Sequence, residues 1–415
     1  MPVEQMGQLS FDGLNYEQDL RVWNFKRLLS KKYDVVVTNP PYMGSSGMNP
    51  SLTKFMKNDY PNGKSDLFAA FLQQGNYLTK KNGFNCMVTM QSWMFLSSFE
   101  TLRKEIVNAK TITTLMHMEN MVMGIAFGTA VANIRGMHIT GYKGQYNHIE
   151  YSLIENDQPK IFPPTGGRNV SASADSFSKI PGSPISYWAS ENLIKAFVKG
   201  KRMDSIVNPK QGLATADNDR FLRQWWEIDI NKAMFNAQSI QESHESGLKW
   251  FPYNKGGSYR RWYGNYDYLV NWKSDGYEIR NFTDDKGKLR SRPQNTDFYF
   301  QEAITWSDIT SGAFSMRWRT GGGLHDVKGM SAFSTSRNDK LYLLGLLNTK
   351  LGDHVFKLLN PTISLQIGNF QQFPVLFIEA VKDRVKNLAE ECIIHAKDDW
   401  DYNEESWDYK INPLV

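Results

Sequence analysis

At 415 residues, with 41% hydrophobic and 13% aromatic, the chain is long enough for two or three domains with a sizeable core. A net charge of +5 is a mild basic bias, compatible with nucleic-acid binding without establishing it. The two cysteines, Cys86 and Cys392, exclude a disulfide scaffold, the histidines lack metal-ligand spacing, and no apolar run reaches membrane-spanning length. A cytoplasmic protein with no bound metal and no membrane association is expected, and the N-terminus carries no signal-peptide pattern.

In chain order, residues 1–32 are short and mixed, with Leu20, Trp23, Phe25, Leu28 and Leu29 at roughly helical spacing. The β-branched run Tyr33–Thr38 reads as a buried parallel strand, ended abruptly by Pro40 and Pro41. Gly44-Ser45-Ser46-Gly47 is a flexible segment, and Ser65 or Asp66 caps a helix that ends at Asn82-Gly83. A strand over 84–90, a helix near 99–103 and strands over 112–118 and 129–135 follow. This alternation predicts an α/β fold with a largely parallel, doubly wound sheet over 33–160. Residues 161–184 turn Ser-, Pro- and Gly-rich and read as a linker. From 185 to 340 aromatic and basic residues interleave between Gly-rich turns, which predicts a mixed α+β domain. Residues 341–415 read as a helical region, with helices over Leu341–Leu359 and Glu379–His395 and an acidic, exposed or partner-facing end over Asp398–Trp407.

The candidate chemistry lies in Asn39-Pro40-Pro41-Tyr42, because ligands of open α/β sheets gather outside the carboxyl ends of strands. The four residues resemble the catalytic loop of the amino-methyltransferases, which methylate adenine N6 in DNA or an amide nitrogen in protein. The chemistry which that resemblance implies explains the residue types: an exocyclic amine conjugated to a ring is a poor nucleophile. The Asn39 side-chain oxygen and the Pro40 carbonyl, placed on its two hydrogens, favour a pyramidal nitrogen with its lone pair aimed at a methyl donor. The prolines hold these acceptors pre-aimed, and Tyr42 supplies an aromatic face for a planar target, which duplex DNA must first flip out. A plain strand-to-loop exit is the competing account of Asn-Pro. Phe127, just before the strand starting at Thr129, is a candidate second aromatic against the flipped base, and is equally compatible with a core position.

That resemblance implies S-adenosyl-L-methionine as cofactor, usually held by a Gly-rich turn after a first strand and an acidic residue after a second. Residues 1–32 contain no such pattern; Phe11-Asp12-Gly13-Leu14 is the nearest approach and lacks a second glycine. A permuted order finds no better turn, since neither Gly321-Gly322-Gly323 nor Gly368 has a strand–turn–helix context. By resemblance, Asp66 and Leu67 touch the cofactor's adenine but do not hold it alone. The expectation is a partial Rossmann-like sheet with an incomplete cofactor pocket: the C-terminal part of a larger enzyme, or a truncated form needing an upstream segment or partner chain.

More than half the chain follows this sheet, a surplus that suits a target-recognition domain. Lys210, Arg220 and Arg223 stand around a turn-rich phrase; Lys255, Arg260 and Arg261 flank Gly256-Gly257; and Arg290, Arg292, Arg317 and Arg319 extend the pattern. Arginine reads guanine bidentately, and lysine holds phosphates. The large aromatics are assigned to the core and the Gly-flanked cations to double-stranded DNA. Tyr33–Asn62, Gln211–Arg223, Lys249–Asn265 and Leu341–Lys350 together resemble the PglX family, adenine-specific methyltransferases of BREX phage-exclusion systems related to type IIG restriction-modification enzymes. This resemblance spans most of residues 33–380. It implies N6-adenine methylation of a short asymmetric DNA site, alongside other defence-system proteins. A non-catalytic DNA-specificity subunit is the alternative, and a protein or RNA amide methyltransferase is disfavoured by the large second half. Asp275 and Glu278-Ile279-Arg280 superficially resemble a nuclease carboxylate pair and are read as a surface turn.

Overall fold

Six strands form the sheet that carries Asn39–Tyr42: β1 (Tyr33–Thr38), β2 (Thr79–Met90), β3 (Thr111–Met118), β4 (Thr129–Arg135), β5 (Lys143–Ile149) and an edge strand, Asn169–Ser173. They belong to the first of two units, Met1–Ile194 and Lys195–Val415, of the computed structural model, which describes residues 16–309, 312–360 and 364–411. Phe11–Leu14 therefore lies outside the described residues. The spatial order is β1-β2-β4-β3-β5 followed by Asn169–Ser173. β1 runs parallel to β2 and β3 parallel to β5, while β4 lies antiparallel between β2 and β3. Four strands thus point one way, as an α/β reading requires, and β4 is the exception inside the sheet. Its cause is the connection. Helices α3 (Leu67–Leu78) and α4 (Glu100–Ala109) make the crossovers before β2 and β3, whereas the short 119–128 segment returns the chain as an antiparallel neighbour.

Near the N-terminus, α1 (Tyr16–Ser30) is the helix that the spacing predicts, and α2 (Pro50–Asp59) is capped by Asn49, whose Oδ1 accepts from Leu52 N–H at 2.8 Å. α3 runs directly into β2, so Asn82-Gly83 does not separate helix from strand. It lies within β2, where a Cβ on Gly83 would stand 2.5 Å from the Asp34 carbonyl oxygen. The core packs Phe68, Leu72, Trp93, Leu102, Ile106, Leu115, Ile134 and Tyr146.

Two expectations change here. β1 is a strand, but it is not buried: among the described residues it pairs with β2 alone, and Val35 and Val37 are 59% and 69% exposed. The stretch read as a linker over 161–184 belongs to the first unit. Asn169–Ser173 pairs with β5, Phe177 and Ile180 are buried, and buried Arg103 donates to the carbonyls of Gly182, Trp93 and Leu96. Serine and proline content marks irregular backbone, and here that backbone is packed.

The second unit holds two four-stranded sheets. One orders Asn208–Lys210, Gly329–Phe333, Ala303–Ser307 and Met316–Arg319; the other orders Leu222–Gln224, Tyr268–Asn271, Trp250–Asn254 and Leu324–His325. Their aromatics are core, as expected, with Phe221, Phe251, Tyr253, Trp272, Tyr299 and Phe300 in one cluster. The predicted 341–359 helix is two helices, Arg337–Leu347 and Lys350–Leu359, because Thr349 caps the second by accepting from Gly352 N–H. Helix Glu379–Asp401 follows. The acidic tail is not free: Trp400 is buried, Trp225 Nε1 donates to the Glu405 carbonyl at 2.7 Å, and Trp407 packs 5.0 Å from Phe235.

Candidate active site

Asn39 leaves the carboxyl end of β1 exposed, Pro40 is buried, Pro41 is exposed and Tyr42 is half-buried. Rigid φ values at both prolines bring Tyr42 back over the sheet. Its hydroxyl stands 3.2 Å from Asn39 Oδ1 and 3.2 Å from the Val88 carbonyl oxygen of β2, and its single hydrogen is shared between them. The contact orients the Asn39 amide with its oxygen as the acceptor. Burial pushes the Tyr42 phenol above its ordinary pKa, so it remains a donor.

Phe127 converges on the same ring. It lies 5.7 Å from Tyr42 at 77°, and Phe68 of α3 lies 6.2 Å away at 86°. The two candidate base-stacking residues are therefore neighbours, meeting edge to face rather than as parallel walls.

Asp66 caps α3 and ties down the loop at once. Its Oδ1 accepts from Met43 N–H at 3.0 Å and Phe68 N–H at 3.3 Å. Leu67 N–H donates to the Met43 carbonyl at 3.0 Å, and Ser45 N–H to the Ser65 carbonyl at 3.0 Å. The Gly44–Gly47 segment, expected to be flexible, is a 3-10 turn fastened at its start. Desolvation raises the Asp66 pKa, and the amides of Met43, Phe68 and Leu67 partly offset it. As a partner for S-adenosylmethionine, this carboxylate already has amide donors on one oxygen, and half-buried Leu67 offers an apolar edge. The pair is compatible with contacting a cofactor's ring and is first a staple for the loop.

Three residues that sequence reasoning passed over adjoin this surface: Gln91, directly after β2; His117, near the end of β3; and Gly128, directly before β4. Their one visible signal was their place at strand ends.

In the second unit, the structure corrects two of the ten candidate DNA contacts. Arg317 and Arg319 are interior, 0% and 2% exposed, on a strand buried on both faces. Arg317 donates to the Arg260 carbonyl at 3.3 Å and Ser307 Oγ at 3.2 Å; Arg319 donates to the Gly323 and Gln301 carbonyls at 3.1 and 2.5 Å. Desolvation lowers both to about 10, still cationic at neutral pH. Arg220 is paired with Glu278 at 2.9 Å, and Arg260 with Asp399. Asp275 and Glu278 are likewise taken up by ion pairs with Arg280 and Arg220, as a surface turn requires. Arg290 and Arg292 are exposed, with Arg290 4.9 Å from the Phe282 ring. Lys210 lies over Phe298 and Arg261 beside Tyr259. Arg223 and Lys255, far apart in sequence, come together: with Asn218, Gln224 and Tyr268 they line an open cleft of about 370 Å³. Asp219 and Glu227 lie at the same cleft.

A family model described as Eco57I restriction-modification methylase matches residues 6–122. Among solved structures, the type IIL restriction-modification enzyme MmeI in complex with DNA aligns at a TM-score of 0.52 and 12% identity, covering 92% of this chain and 51% of MmeI. A nuclease-deletion mutant of the type ISP enzyme LlaGI aligns at 0.51 and 11%, covering 93% and 37%. The chain thus shares its fold with parts of these two restriction-modification enzymes. The adenine-specific methyltransferase PglX of Lacticaseibacillus casei (strain Zhang) is 35% identical over 426 residues, covering 99% of this chain and 35% of PglX. BrxX of Escherichia coli O9:H4 (strain HS), also named an adenine-specific methyltransferase, is 37% identical over 395 residues, covering 94% of this chain and 31% of BrxX. Nearly the whole chain is thus related in sequence to adenine-specific methyltransferases of the PglX and BrxX kind, and it spans about a third of the length of each.

Proposed function

We propose that this chain is the C-terminal portion of a site-specific DNA N6-adenine methyltransferase of a restriction-modification or phage-defence system. The observation that carries the reading is Asn39 Oδ1, an exposed acceptor at the carboxyl end of a strand, oriented by the Tyr42 hydroxyl. Residues 33–160 hold the catalytic loop, 185–340 recognise the DNA site, and 341–415 form a helical region.

In this reading a flipped adenine lies against Tyr42, with Phe127 as its second aromatic contact. To accept it in parallel, the two rings open from their present edge-to-face contact. Asn39 Oδ1 and the Pro40 carbonyl then accept the two amine hydrogens, and the amine takes over the acceptor now used by the Tyr42 hydroxyl. S-adenosylmethionine, when bound, supplies the methyl group, with Asp66 and Leu67 beside its adenine. The cations Lys210, Arg220, Arg223, Lys255, Arg260, Arg261, Arg290 and Arg292 remain candidates for duplex DNA, with Arg223 and Lys255 the pair that shares a cleft.

The exposed edge of β1 supports an incomplete cofactor pocket. Among the described residues β1 pairs on one side only, the exposed Val35 and Val37 side chains leave one of its faces apolar and uncovered, and the relatives are about three times longer. A cofactor-binding segment adding strands to β1 and covering that face, on the same polypeptide or on a partner, accounts for all three. The alternative, a non-catalytic specificity subunit, shares that edge and lacks a use for the oriented Asn39.

Methylome sequencing of cells carrying the full locus, wild type or Asn39→Ala, tests the proposal. The expected result is N6-methyladenine at one asymmetric site, lost in the variant; methylation that persists in Asn39→Ala removes the loop from the chemistry. Calorimetry of the chain alone with S-adenosylmethionine tests the pocket, and tight binding contradicts its incompleteness.

A further inference from the structure

Gln91 joins three adjacent strands at the end of the sheet that carries the catalytic loop. It follows β2 directly, and its N–H donates to the Gly128 carbonyl at 3.0 Å. Gly128 stands between Phe127 and the first residue of β4. A Cβ there would lie 2.4 Å from Gln91 Cδ and 2.4 Å from its Nε2, so the amide occupies the space a side chain at 128 would take. A side chain at 128 would displace the Gln91 amide, and glycine leaves it in place.

The amide is itself held from behind. Gln91 Oε1 is 2.5 Å from His117 Nε2, and His117 Nδ1 is 3.0 Å from the Tyr187 hydroxyl. The imidazole is buried beside the stacked His148 ring, 5.0 Å away at 22°, with Trp188 at 6.4 Å and 25°. Desolvation, with His148 adding to it, holds His117 at about 3, so the ring is neutral and carries one N–H. A carbonyl oxygen only accepts, which places that hydrogen on Nε2 and leaves Nδ1 to accept from Tyr187. Every polar atom of the ring is then matched, and the Gln91 amide is fixed at both its backbone and its side chain.

We propose that Gln91, oriented by His117 and Tyr187, is a positioning residue that holds the Phe127-Gly128 segment and so sets the Phe127 wall of the target-base pocket. This rests on reading Asn39–Tyr42 and Phe127 as that pocket. Gln91 touches no reacting atom; it acts through the backbone of its neighbour. Displacement of an aromatic wall by a fraction of a ring's thickness is enough to misplace a stacked base.

The test uses the full-length protein of the locus and a duplex of the methylome-defined site with 2-aminopurine in place of the target adenine. Fluorescence reports the base leaving the stack, and anisotropy of the same duplex reports binding. Gln91→Leu removes the acceptor at similar size, Gly128→Ala pushes the amide aside without altering it, and Gln91→Glu keeps an acceptor at the same reach. Loss of most of the fluorescence rise in the first two, with anisotropy unchanged and Gln91→Glu close to wild type, is the expected result. A wild-type rise in Gln91→Leu and Gly128→Ala overturns the proposal. So does a parallel loss of binding and rise that Gln91→Glu does not rescue, which marks a purely structural role. If the wild type binds without any rise, the pocket reading itself fails. The clamp is then judged by the ¹⁹F resonance of 4-fluorophenylalanine at position 127: broadening or splitting in Gln91→Leu upholds it, and an unchanged line overturns it.

Discussion

At the scale of single residues, Asn39–Tyr42 could be singled out as the candidate catalytic loop because its four members are contiguous and the chemistry proposed for it depends on their order. Arg317 and Arg319 were not, because alternate positions on a strand say nothing about whether the second face is covered, and here both faces are. Asp66 was singled out as a cofactor contact, and the structure shows that it also caps a helix and ties down the loop. Its raised pKa means the folded state binds a proton more readily than the unfolded chain. Whatever stability that preference contributes is complete below the ordinary carboxylate pKa of about 4 and is lost as pH rises through the folded value. Asp66→Asn retains an oxygen for the Met43 and Phe68 amides without the charge. It is expected to remove this pH dependence and to be at least as stable as wild type at pH 7. Asp66→Ala loses the cap and the loop tie together, about 1–2 kcal/mol. Hydrogen exchange of the peptide containing Met43, at pH 5 and pH 8, distinguishes these outcomes; faster exchange in the asparagine variant than in the alanine variant refutes the assignment.

At the scale of elements, strand and helix identity followed from apolar spacing, whereas neighbours did not. The run Tyr33–Thr38 is β-branched enough for a central strand and stands at an edge, because hydrophobicity records what a strand is built to touch. Val37 turns this into an experiment. At 69% exposure, Val37→Lys is expected to change the stability of this chain by no more than about 0.5 kcal/mol, measured by urea denaturation. In cells where the full-length protein restores methylation, the same change is expected to abolish it, because the lysine then stands on the face of β1 that an added segment covers. Full methylation in Val37→Lys cells refutes a segment covering that face of β1. The antiparallel β4 was hidden for a related reason: connection length, not strand composition, determined its direction.

At the scale of the whole molecule, a change of character between the two halves was legible in composition, with the division between units falling at Ile194–Lys195, beyond the stretch read as a linker. A basic bias of +5 is too small to show which cations face a ligand, and the structure reduces the choice by burying some and pairing others. Arg223 and Lys255 share an open cleft, whereas Arg319 donates only to backbone carbonyls within its own unit. Their variants are therefore expected to differ in kind. In DNA binding measured from low to moderate salt, Lys255→Ala and Arg223→Ala each lower the slope of log K against log salt by about one if they neutralise a phosphate. Arg319→Met leaves that slope at the wild-type value in whatever fraction folds, because a guanidinium sealed inside a sheet releases no counterion on binding. A reduced slope in Arg319→Met, with the unit's circular dichroism intact, would mean that this strand opens to meet DNA and that the burial of its arginines is a property of the free protein alone.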